Sequence, residues 1–211
     1  NVVDPFQLAA TFGTDSARYY LMREIPSTED GDFSQKRFLE RYNADLAKGL
    51  GNLVSRVLTV AAQESTLAGV APQPATIEAL ATVHKEYSDR IEGFELHQAL
   101  AVVWKLIGEC DEMIERERIW ALKTKDAARF QTVMVELMAG VAKIAQMLWA
   151  FMPDTAEVIL AFLGGLKRDW AKDGFEPHPP RPLFPKFDPA ALGMAGVTKK
   201  PSRHSERNEA K

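Results

Sequence analysis

The stretch "SQKRFLERYNADLAKGLGNLVSRVLTV", Ser34 to Val60, reads as one long amphipathic helix. Ser34 is a suitable N-cap, and Leu39, Tyr42, Leu46, Leu50, Leu53, Val57 and Val60 follow at steps of three and four residues. That spacing keeps apolar side chains on one helical face, so the stretch carries a continuous stripe that other apolar faces must cover. The rest of the chain supplies them. After the break "AGVAPQP", helical patterns run over 76–91, 94–116, 126–151 and 154–163, with Leu96, Leu100, Val103, Ile107, Cys110 and Ile114 on one face of the second. Upstream, Asp4 is an N-cap with Pro5 at the first helical position and Gly13 as the stop. The β-branched "NVV" before it suggests a short strand. A second helix starts at Thr14 and is ended by Pro26, which pushes the preceding residue out of the α region.

No strand alternation appears over the bulk of the chain. Successive helices with short connections predict an all-α, antiparallel helical bundle. The segment "DGFEPHPPRPLFPKFDP" is proline-rich and extended, with Leu183 and Phe184 available to dock on the bundle. From about Val197 the tail carries Lys199, Lys200, Arg203, Arg207 and Lys211 against Glu206 and Glu209, lacks an apolar pattern, and is expected to be disordered.

A chain of 211 residues with 46% hydrophobic and 26% charged residues has ordinary globular composition. Its formal net charge of −3 gives no overall attraction to polyanions, so any nucleic-acid contact has to be local. Cys110 is the single cysteine, and His84, His97, His178 and His204 show no metal-ligand spacing. A reducing, cytoplasmic setting is expected. The longest apolar run, "VAKIAQMLWAFM", is interrupted by Lys143 and is too short to span a bilayer. No basic segment followed by an apolar core opens the chain. Residue 1 is Asn, which suggests a piece of a longer polypeptide. Glycine-rich phosphate loops, nucleophile elbows and cysteine–histidine clusters are all missing, and the "DGD" at Asp30 and Asp32 reads as an acidic turn, so no catalytic residue is assigned.

The candidate binding residues lie beside the stripe. Asn52 and Arg56 stand one position before Leu53 and Val57, so they project about 100° round from the buried line and share a face. Helix geometry leaves two readings open. Arg56 lies over the bundle while Asn52 bonds a neighbouring loop, or the amide and guanidinium offer directed donors and acceptors to an unstacked base. Of the four tryptophans, Trp104 and Trp149 fall in strongly apolar helical patterns and read as packing. Trp120, in "ERERIWALKTKD", falls where a charged helix should finish. Its ring either covers a helix end or leaves a face open for stacking.

The ordered blocks "NVVDP", "GTDSARYYLMREIP", "DGDFS" and "RYNADLAKGLGNLVSR", all within the first 56 residues, closely resemble the C-terminal part of methionyl-tRNA synthetase, a class I aminoacyl-tRNA synthetase. Further on, "MPDTAEVI" and "PLFPK" also resemble that family, up to about Asp188. The resemblance implies a stem-contact segment over 1–33, immediately after the family's KMSKS loop, and a helical anticodon-binding domain over 34–195. The tail, 196–211, is outside it. It implies that Asn52, Arg56 and Trp120 bind the anticodon, the indole stacking on the first base of CAU while Asn52 and Arg56 bond its polar edge. Where the family usually has proline before this tryptophan, Ile119 stands here. The partners implied are tRNA(Met) and the catalytic domain of the same polypeptide, with no membrane. No cofactor is implied for this chain. ATP with magnesium, and methionine, are used by the full-length parent, whose HIGH motif and zinc-binding insertion lie further N-terminal. Arg41, Lys48 and the basic tail are weaker candidates for phosphate contacts. A stand-alone helical tRNA-binding or protein-interaction module without ligase activity is the competing function. A synthetase for cysteine is disfavoured by "DGDFS" together with "NLVSR".

Overall fold

The computed structural model describes residues 4–25 and 33–188. The expected strand at 1–3, the acidic turn at Asp30 and Asp32, and the basic tail lie outside them. Helix α1, Pro5–Phe12, begins where the Asp4 side chain accepts the Phe6 N–H at 2.8 Å, and it ends at Gly13, whose φ of 86° is a left-handed conformation that suits glycine. Helix α2, Thr14–Glu24, follows directly and stops just before Pro26. Ser34 caps α3, Gln35–Arg41, by accepting the Arg37 N–H at 3.4 Å.

The long helix then departs from the expected uniform α geometry. Its middle, Tyr42–Leu50, is π-helical, and regular α-helix resumes as α4, Gly51–Ala61. Gly51 donates its N–H to the carbonyl of Leu46, five residues back. Tyr42, Leu46 and Leu50 are all buried. On an α-helix, steps of four drift by roughly 40° each, and the wider turn offsets that drift so that all three face the core. Glycine permits it, because a Cβ at Gly51 would lie 3.0 Å from the Leu46 carbonyl oxygen.

A 3₁₀ turn, Ser65–Leu67, leads to α5, Pro74–Glu92, and α6, Leu96–Glu117. Then come a short α7, Ile119–Lys125, that the periodicity did not reveal, α8, Ala127–Leu148, α9, Pro153–Phe162, and a single turn α10, Trp170–Asp173. Asp126 caps α8 by accepting the Arg129 N–H at 2.9 Å. Among the described residues there is no strand, only an isolated parallel bridge between Ala68 and Phe175. The result is an all-α bundle, as the periodicity implies. Helix α8 is its centre, with α4, α5, α6, α7 and α9 packed around it.

Helices α1 and α2 are fastened to this bundle by polar contacts. Arg18 donates to the carbonyls of Ala150 and Phe151 at 2.9 and 2.8 Å, just beyond the end of α8. The buried Asp15 carboxylate accepts the Thr155 N–H, in the first turn of α9, at 2.7 Å. The extended segment after Gly174 closes the other side. Asn43 accepts the Phe187 N–H at 3.1 Å and donates to its carbonyl at 2.9 Å, and the Phe187 ring meets Phe12 at 4.7 Å between centroids. Leu183 and Phe184 rest against the core as expected.

Replacing Asp15 by alanine leaves the Thr155 amide without its acceptor in a buried place. Urea unfolding of Asp15→Ala should show a loss of about 1–3 kcal/mol, with Asp15→Asn, which retains an acceptor oxygen, losing less.

Candidate nucleic-acid interface

The three sequence-selected residues come from two helices, α4 and α7. Asn52 and Arg56 are on α4, held in orientation by the buried Leu53, Val54, Val57 and Leu58 beside them. The Asn52 side chain is exposed and forms no hydrogen bond with another described residue. Arg56 crosses to the last turns of α6. It donates through Nη2 to Glu115 Oε1 at 2.7 Å, and its Nη1 lies 3.7 Å from Asp111 Oδ1.

Trp120 follows almost at once. Helix α6 ends at Glu117, and Arg118, with a left-handed φ of 48°, turns the chain into α7. The turn that proline commonly shapes in the resembling family is made here by Arg118, while Ile119 is buried and anchors the start of α7. The indole beside it is left 60% exposed. Two ion pairs fix α7 and its approach. Glu117 receives Arg129 of α8 at 2.7 Å, and Lys123 pairs with Glu64, just past the end of α4. The last turns of α6 thus lie against the outer face of α4 through Arg56, and the chain runs on from them directly into α7 and Trp120.

What this arrangement can do follows from its exposure. An open indole offers a π-face, an unpartnered amide offers both a donor and an acceptor, and the guanidinium offers several donors. Arg56 is already occupied, however. A ligand using its outer edge has to displace Glu115, whose side chain is 63% exposed, so the exchange costs little. Asp111 is the more embedded partner, and burial, partly offset by Arg56, holds its carboxyl above the usual aspartate range. Sequence reasoning missed both acids. Their signal was present as two carboxylates four residues apart on the polar flank of α6.

Other expectations fare differently. Trp104 packs as anticipated, stacked on Tyr19 with centroids 4.6 Å apart. Trp149 does not. It lies immediately past α8 and is 43% exposed, because Leu148, Phe151 and Met152 fill the adjoining core. Arg41 is bonded to Glu24 at 2.6 Å and Asp45 at 3.4 Å, which weakens its candidacy as a phosphate contact, whereas Lys48 is exposed. Among the described residues no cluster of three or more His, Cys, Asp or Glu is arranged to hold a metal, and no helix is long and apolar enough to cross a membrane.

Comparison with known proteins agrees with the resemblance. The family model described as tRNA synthetases class I (M) matches residues 1–58. The methionine–tRNA ligase of Mycobacterium leprae is 32% identical over 99% of this chain and 42% of its own length. That of Mesorhizobium japonicum is 35% identical over 77% of this chain and 33% of its own. The chain belongs to the methionyl-tRNA synthetase family. Its fold matches the free-state crystal structure of the Mycobacterium tuberculosis methionyl-tRNA synthetase with a TM-score of 0.79 and 28% identity, covering 89% of this chain and 42% of that one. The same enzyme bound by methionyl-adenylate gives 0.78. The chain thus spans well under half the length of these methionyl-tRNA synthetases.

The elevated Asp111 carboxyl gives a signed expectation. Its folded-state pKa exceeds the unfolded one, so the folded protein gains stability from this group at low pH and loses it as pH rises through the raised value. Asp111→Asn removes that loss, and its unfolding free energy relative to the unaltered protein should increase with pH across the carboxylate range, as read by denaturant titrations at several pH values.

Proposed function

We propose that this chain is the tRNA-recognition portion of a methionine–tRNA ligase and reads the CAU anticodon of tRNA(Met). The observation that carries the proposal is that Arg56 of α4 reaches Glu115 in the last turn of α6, from which the chain runs directly into the exposed indole of Trp120, in a bundle related throughout its length to methionine–tRNA ligases. The first anticodon base stacks on Trp120, and its polar edge is met by Asn52 and Arg56, with Glu115 swinging aside. Mounting on packed helices leaves these side chains little entropy to lose on binding. A wrong base leaves buried polar groups unpaired, at about 1–3 kcal/mol each.

In this reading 1–33 is the stem-contact segment, 34–195 the anticodon-binding domain and 196–211 a basic tail. The polar fastening of α2 to α8 and α9 supports a fixed relation between the first two. The catalytic domain of the full-length ligase is the covalent partner. It uses ATP with magnesium, and methionine, in a cytoplasmic reaction. This chain itself carries no nucleotide-binding signature and is expected to be inactive alone.

Binding measurements test the recognition. tRNA(Met) with CAU should bind at least tenfold more tightly than the same tRNA with its first anticodon base changed, and Trp120→Ala and Arg56→Ala should each remove most of that difference. Equal affinity for the two tRNAs in the unaltered chain would refute it. In a separate assay, the chain should give no methionine-dependent exchange of pyrophosphate into ATP, and measurable exchange would overturn the assignment of inactivity.

A further inference from the structure

Lys143 is out of place by the logic of the helix that bears it. Val141, Ala142, Ile144 and Ala145 around it are all buried, yet a lysine occupies the half-buried position between them. Burial lowers its pKa from the usual lysine value, and no described carboxylate forms an ion pair with it. Its ammonium lies 5.8 Å from the centre of the Trp170 ring, a contact that only partly replaces lost water.

The side chain borders a cavity of about 410 Å³, lined by Ile77 of α5, Gln146 of α8, and Lys167, Arg168, Asp169 and Trp170. The positive charges outnumber the negative ones there. Arg168 is held rigidly, donating to the Gly174 carbonyl at 2.7 Å and to Glu176 at 3.0 Å, whereas Lys167 is exposed and unpaired among the described residues. His84 shares a face of α5 with Ile77 and Ala81. Its Nδ1 is buried without a hydrogen-bond partner, and the Lys143 charge, added to burial, disfavours its protonation. One exposed carboxylate, Asp169, stands against Lys143, Lys167 and the already committed Arg168. A desolvated cation, a second free cation and an amide converging on a small cavity make a receptor for a compact oxyanion.

We propose that the cavity between α5, α8 and the 167–171 segment binds a phosphate group, with Lys143 as its principal contact. The phosphate belongs either to a small free compound or to an RNA backbone. The site is separate from Trp120, because from Arg129, which braces α7, to Lys143 the axis of α8 advances roughly 20 Å. Trp170 serves as a wall and not as a stacking platform, since one face is covered by Phe175 at 5.7 Å and Lys143 approaches the ring as well.

Calorimetric titration of the whole chain with inorganic pyrophosphate tests the site. Saturable one-to-one binding is expected, weakened at least tenfold by Lys143→Met and unchanged by Lys105→Ala, an exposed lysine on α6. Should Lys143→Met not fold, as judged by its circular dichroism, Lys167→Ala takes its place with an expected weakening of about threefold. Resonances of the Trp170 indole and the His84 ring should shift on addition to the unaltered protein. Absence of saturable binding, binding indifferent to the Lys143 or Lys167 change, or shifts confined to other residues would overturn the proposal. Repeating the titration with saturating tRNA separates the sources. Displacement assigns the phosphate to RNA, and undiminished pyrophosphate binding assigns it to a free compound.

Discussion

Helix α8 is apolar on nearly every side, and a helix with that pattern is stable in water only when surrounded. Val133, Met134, Leu137, Met138, Val141, Ile144 and Met147 along it are buried, each contributing on the order of 1.5–3 kcal/mol when removed from water. The arrangement of the other helices follows from covering it. Helices α6 and α9 take the largest shares, α5 and α4 fill the remaining sides, and the short α7 closes the end where α8 begins. The stripe on α3 to α4 could be buried in several ways, but α8 leaves room for few of them.

That packing also explains where polar chemistry appears. Once the helices are committed to a common core, residues one step off each buried line are presented at fixed angles to solvent. Asn52 and Arg56 are such residues on α4, and Asp111 and Glu115 are their counterparts on α6. The left-handed Arg118 breaks the chain between α6 and α7, so Ile119 turns inward and Trp120 outward. The π-helical turn just before α4 belongs to the same account. It adjusts the register of the long helix so that Phe38 and Leu39 before it and Leu53 and Val57 after it are all buried, and this sets the direction in which Asn52 and Arg56 project. Wide helical turns often adjoin functional sites for this reason.

Electrostatics at the two ends of α8 are organised differently. Near its start, cations are answered by acids, as with Arg56 and Glu115, Lys123 and Glu64, and Arg129 and Glu117, and the pairs hold surfaces in place while remaining exchangeable with solvent. Near its end, Arg18 is met by backbone carbonyls and Lys143 approaches an aromatic ring, and neither forms an ion pair with a described residue. An unanswered charge in a partly buried place is costly, which makes the second end the more unusual chemically.

The sequence by itself determined which segments are helices and which faces they bury, because these are local matters of spacing, caps and prolines. The stripe from Leu39 to Val60, the caps at Asp4 and Ser34, and the docking of Leu183 and Phe184 were all legible in it. So were Asn52, Arg56 and Trp120 as candidates, through ordered motifs shared with methionyl-tRNA synthetases. Only the tertiary structure decided the π-helical turn, the brief α7, the exposure of Trp149, and the engagement of Arg56 by Asp111 and Glu115. These depend on which helix lies beside which and how closely. A partner some fifty or sixty residues away leaves no periodic trace in the segment that it constrains, and the same is true of the ring at the start of α10 that stands over Lys143.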